Sequence, residues 1–184
     1  MSENKRRKRV CFALILTMTV FLAACGNGNL RMSAGEVAEN VVYNESMVGV
    51  SGTLNKYFGK KIMFNNDDPN RDKYMTNNVH SGITPELDID FVEGAYYEAF
   101  VDINGIDYAR ATVAAVQFET PEAAQAAYPI IENNLNLSPN EDGTCDLEYG
   151  KVSIRGNIIF VVATYENNTQ LELTRVFNNK NYVK

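Results

Sequence analysis

The stretch at residues 96–118 reads YYEAFVDINGIDYARATVAAVQF. Two patterned runs, Tyr96 to Ile103 and Ile106 to Phe118, flank Asn104-Gly105. Alternation sends successive side chains to opposite faces of a strand. Asn-Gly tolerates positive φ at both turn positions, so the pattern predicts a β-hairpin. A second hairpin is predicted downstream. Lys151 to Arg155 (KVSIR) leads into Gly156-Asn157 and then Ile158 to Tyr165 (IIFVVATY). The IIFVVA run is apolar on both faces, which predicts a central strand.

Helical signals interleave with the hairpins. Ser33-Ala34-Gly35-Glu36 has the spacing of a capping box, in which Ser33 and Glu36 satisfy each other's backbone amides. Val37, Val41 and Val48, flanked by Ala38 and Met47, follow at near-helical spacing and predict a helix over about 34–47. A shorter helical piece is expected from Leu54 to Phe58, ending at Gly59. Thr120-Pro121-Glu122 opens a helix running to about Leu135: threonine caps it, proline suits its first position, and the acid sits by the positive helix end. Pro129 lies inside it as a potential kink. Thr169 to Phe177 predicts a last helix with Leu173, Val176 and Phe177 inward. The expected fold is α+β, an antiparallel sheet of about four strands (two hairpins) with helices packed mainly on one face.

Between these parts, residues 65–86 carry loop chemistry: Asn65-Asn66-Asp67-Asp68-Pro69-Asn70-Arg71-Asp72 and Asn77-Asn78. Asp68, Asn70 and Asp72 copy the opening ligands of a calcium loop. The sixth position is Lys73 instead of glycine, and the twelfth is Val79 instead of a bidentate glutamate. Asp67, Asp68, Asn70 and Asp72 are the metal candidates, as an irregular site. His80 is the single histidine, which rules out a multi-histidine metal site. No nucleophile elbow, phosphate loop, dinucleotide fingerprint, CxxC or HExxH motif occurs. Glu93, Glu98 and Asp102, with Tyr96 and Tyr97, have the composition of a sugar-binding face with paired carboxylates. The chain has no tryptophan, the residue that usually stacks on sugars.

The N-terminus is organised differently. Lys5-Arg6-Arg7-Lys8-Arg9 precedes fifteen residues, Val10 to Ala24, interrupted only by two threonines. A bilayer span needs roughly 20 residues, so a basic block and short apolar run fit a secretory signal. The run ends in Leu22-Ala23-Ala24-Cys25-Gly26. This resembles the lipobox of bacterial lipoproteins. The resemblance implies a diacylglycerol thioether on the Cys25 sulfur and cleavage between Ala24 and Cys25. Leu22, Ala23 and Ala24 would be the peptidase recognition residues. It also implies an anchored protein on the outer face of the cell membrane, with the lipid as its sole covalent attachment and no other cofactor. The expected organisation is a signal at 1–24, a tether at 25–32 and one domain at 33–184.

The chain has 17 Lys+Arg and 23 Asp+Glu. The signal holds five of the basic residues and Glu3, so the remainder has 12 against 22, a net charge of −10. That charge opposes nucleic-acid binding through phosphates and opposes anionic lipid surfaces. With Cys11 removed and Cys25 lipidated, Cys145 is left without a disulfide partner, among carboxylates that disfavour its thiolate.

The body resembles small lipoproteins of Firmicutes. The resemblance lies in the Asn40-Val-Val-Tyr43 helix, the Ala111–Phe118 strand, the Thr120-Pro-Glu-Ala-Ala124 helix start and the Gly156–Val162 strand. It implies an exported lipoprotein and carries no catalytic residue. Three functional readings follow. The first is a non-enzymatic binding or adaptor module for a protein or cell-wall partner. The second is a receptor for a small ligand or calcium. The third is a cell-wall hydrolase built on Glu93 and Glu98.

Overall fold

A computed structural model describes residues 32–43, 58–59, 61–79, 82, 84–103, 106–137 and 147–179; over 100–110 only the strand pairing is described. Four expected features lie outside the described residues. They are the Leu22–Cys25 motif, the Asn104-Gly105 turn, Cys145, and the helical piece before Phe58. His80 lies outside them as well.

The elements in chain order are α1 (Ala34–Val42), β1 (Ile62–Phe64), α2 (Arg71–Thr76), β2 (Glu93–Ile103), β3 (Ile106–Gln117), α3 (Pro121–Asn133), β4 (Tyr149–Arg155), β5 (Ile158–Thr164) and α4 (Asn167–Asn178). They form one antiparallel sheet in the order β1-β2-β3-β5-β4. The α+β class and both expected hairpins are present. Ile103 pairs with Ile106 in the first hairpin; Arg155 pairs with Ile158, so the second turns in two residues. Gly156 has φ 56°, as the first turn residue of a tight β4–β5 connection requires. Between Ala99/Ala111 and Phe100/Ala109 the ladder skips Arg110, a bulge in β3.

The sheet departs from the expected one in two respects. It has a fifth strand, β1, and its helices are shared between both faces. On one face α1 and α4 cover Tyr97, Val113, Phe160 and Val162; on the other, α2 and α3 cover Tyr96, Val116, Ile159 and Val161. Strands whose every residue is apolar require cover on both sides. β5 is buried along its whole length, so a one-sided arrangement would leave half of it in water. Phe160 of β5 stacks on Phe177 of α4 with ring centroids 4.8 Å apart.

Local chemistry explains the helix ends. Ser33 Oγ accepts from the Glu36 amide at 3.2 Å, and Glu36 Oε2 accepts from the Ser33 amide at 2.9 Å, completing the capping box. α1 ends at Val42, with Tyr43 as its C-cap. Thr120 Oγ1 accepts from the Ala123 amide, and α3 runs on through Pro129. Met32, expected in the tether, packs against the core beneath α1. No described helix is long and apolar enough to cross a membrane.

Candidate functional site

The loop expected at 65–86 is built more tightly than its composition suggests. Asn65 Oδ1 accepts from the Asp67 amide at 2.9 Å, and Asp68 Oδ1 accepts from the Asn70 amide at 2.8 Å. These side chains turn the backbone on themselves. Asn66 then fastens the turn to the next segment. Its Nδ2 donates to the Phe91 carbonyl at 2.9 Å, and its Oδ1 accepts from Arg71 Nη1 at 3.0 Å. Arg71 Nη2 donates to the Leu87 carbonyl at 3.0 Å, and Asp72 Oδ2 accepts from the Leu87 amide at 3.1 Å. Asp72 Oδ1 is buried and faces Arg71 Nε at 3.3 Å as an ion pair.

Aromatic rings fill the space beneath. Phe64 lies 5.2 Å from Tyr74 and 5.6 Å from Phe91, and Tyr74 lies 4.9 Å from Tyr96. The Arg71 guanidinium sits 5.9 Å above the Phe91 ring. Burial first, then the carboxylates of Asp68 and Glu98, push the Tyr74 hydroxyl above its usual range.

This scaffold borders an open groove of about 530 Å³ at the β1 end of the sheet. Met63, Phe64, Pro69 and Val92 supply apolar lining, and Asp67, Asp68 and Glu93 supply carboxylates. Of the metal candidates, Asp67 and Asp68 line the groove. Asn70 is the N-cap residue of α2, and Asp72 is engaged with Leu87 and Arg71. Among the described residues, no group of three or more His, Cys, Asp or Glu side chains is placed to hold a metal ion.

The carboxylate–tyrosine set divides between the two faces of the sheet. Tyr96 Oη donates to Glu98 Oε1 at 3.1 Å on the α2 side. Tyr97 lies on the α1 side, edge-on to Tyr43 and Phe58. Glu93 also turns to that side, where its Oε1 accepts from the Ala34 amide at 2.9 Å. Five intervening steps along a regular strand put Glu93 and Glu98 on opposite faces. The side chain of Asp102 lies outside what is described.

Of the groove's apolar members, Val92 carries a sequence signal. Leu87, Ile89 and Phe91 are buried while Asp88, Asp90 and Val92 are exposed. Val92 therefore stands where the alternation otherwise puts an acid.

No family model matches the chain, and no curated protein matches it. Among solved structures it is similar to the extracellular domain of PknH from Mycobacterium tuberculosis. The identity is 14%, the match covers 82% of this chain and 99% of that one, and the TM-score is 0.45. At that score the likeness carries nothing about role.

Proposed function

We propose that the chain is a lipid-anchored extracytoplasmic lipoprotein whose folded domain is a non-enzymatic binding module. The observation that carries this is Leu22-Ala23-Ala24-Cys25 at the end of a basic and then apolar leader, seven residues before Met32, which packs against the core. The intervening residues span at most roughly 25 Å when extended. The domain would therefore work close to the lipid surface. The division of Glu93 and Glu98 between two faces supports a binding role over a paired-carboxylate hydrolase, because those two groups share no space for a substrate.

The first test is mass spectrometry of the N-terminal peptide from the membrane fraction of cells making the full chain. A peptide starting at Cys25 with a diacylglyceryl mass is expected. An intact residue 1, or an unmodified Cys25, would overturn the anchor. Crosslinking at the membrane surface then tests the module: recovery of a discrete partner supports it, and a protein that crosslinks to nothing counts against it.

A further inference from the structure

Resting on that binding-module reading, we propose that the groove beside β1 takes an extended segment of a partner protein in which basic and apolar side chains alternate. Three observations converge on it. The first is apolar exposure. Met63 and Val92 are 46% and 55% exposed and line the same groove. Exposed apolar side chains are unremarkable when scattered and informative when gathered on one surface.

The second is the sheet edge. β1 is the end strand, and among the described residues its one strand neighbour is β2. Its sequence, Ile62-Met63-Phe64, contains no charge or proline to discourage pairing. An end strand of this kind offers backbone donors and acceptors to an incoming strand.

The third is charge. Every ionisable side chain lining the groove is a carboxylate: Asp67, Asp68 and Glu93. Among the described residues, Arg71 and Lys61 beside it are turned elsewhere. Arg71 serves Asn66, Leu87 and Asp72, and Lys61 pairs with Glu39 at 2.7 Å. An anionic lipid surface would meet repulsion here, whereas lysine or arginine side chains would meet complementary charge. An added strand sends alternate side chains to opposite faces. One segment can then lay apolar groups on Met63 and Val92 and direct cations to the carboxylates.

The probe is a fluorescent octapeptide of alternating lysine and valine, titrated by anisotropy against the full chain in detergent micelles. Saturable binding is expected, weaker by about tenfold or more for the Asp67→Asn/Asp68→Asn double variant, the equivalent of two modest charge contacts. Asparagine retains the Oδ1 acceptor that turns the loop at Asp68, so this variant is expected to melt like the wild type. Glu122→Gln, at an exposed acid opening α3, should bind as the wild type does. A peptide with N-methylated alternate amides should bind poorly if the edge strand is used. Absence of saturable binding would overturn the proposal. So would equal binding of a lysine–glycine peptide, which would show attraction by charge alone, or indifference to the double variant. Crosslinks that persist undiminished in the double variant would leave the module reading standing and remove the groove from it.

Discussion

The carboxylate of Glu93, at the start of β2, accepts a hydrogen bond from the backbone amide of Ala34 at 2.9 Å, across fifty-nine residues of sequence. The local capping box serves the amides of Ser33 and Glu36. Ala34, the first residue of α1, is then supplied from the sheet. A negative group here also sits at the positive end of the helix. Glu93→Ala is expected to destabilise the fold by about 1 kcal/mol, the usual effect of losing an N-terminal cap. Glu93→Gln keeps an acceptor and should lose about half as much. Urea denaturation of both variants checks the ordering. Equal losses would mean that the negative charge carries the whole contribution, and a Glu93→Gln variant as stable as the wild type would mean that charge is irrelevant.

Phe64 and Gly94 make a second long-range fit. The Phe64 ring lies where a Cβ on Gly94 would stand, and the two residues are cross-strand partners in the β1–β2 ladder. Gly94→Ala must push the ring out of its contacts with Tyr74 and Phe91. A loss of about 1–3 kcal/mol is expected, as for overpacking a core. Since β1 forms one wall of the groove, the same variant should weaken binding of the lysine–valine peptide. A thermal melt unchanged from the wild type would show that β1 is held by something other than this ring.

The two fits also explain which parts of the molecule were legible in advance. Both hairpins were written locally, in Asn104-Gly105 and Gly156-Asn157 between patterned runs, and the helix starts in Ser33-x-x-Glu36 and Thr120-Pro121. β1 and α2 were not. Three residues are too few to display a period, and the six of α2 are too short to be stable alone. They are fixed by distant partners: Leu87 and Phe91 for the loop, Gly94 for Phe64, Tyr96 for Tyr74. The two-sided packing of helices was half-legible, because the unbroken apolar run of β5 demanded it. The groove was the hardest to read. Its acids stood out as possible metal ligands, Val92 showed only as a break in the alternation of residues 87–92, and Met63 gave no motif.

Asn77 ends α2 in the left-handed region, with φ 56°. Its Oδ1 accepts from Thr112 Oγ1 at 2.8 Å, and its Nδ2 donates to the Asn136 carbonyl at 2.8 Å. One residue therefore joins the helix end, the central strand and the segment after α3. Asn77→Ala loses both bonds and places a Cβ residue without asparagine's tolerance for that φ. About 2–4 kcal/mol of destabilisation is expected, chiefly from the two lost hydrogen bonds, one of them to the buried Thr112 hydroxyl. Asn77→Gly relieves the backbone strain alone, so it should recover roughly 1 kcal/mol of that loss. If glycine restored full stability, the side-chain bonds would be contributing nothing.

Tyr97 provides a test by pH. Burial first, then the Glu39 carboxylate, then Tyr43, push its hydroxyl up to about 12 from 10.0. The native state then keeps a proton that the unfolded state gives up. Below about pH 10 both states hold it, and the group adds no pH dependence. Between about 10 and 12 the unfolded chain ionises first, so stability falls as pH rises. Tyr128 acts in the same direction, raised to about 12 mainly by its hydrogen bond to Glu132. Tyr97→Phe keeps the edge-on ring contacts with Tyr43 and Phe58 and removes its own titration, leaving those of Tyr74 and Tyr128. Urea midpoints measured from pH 9 to 11.5 should therefore decline more steeply for the wild type than for Tyr97→Phe. The difference should approach about 2 kcal/mol at the upper end. Parallel declines would mean that Tyr97 ionises as readily in the folded domain as in the unfolded chain, and that its packing beneath α1 is open to water.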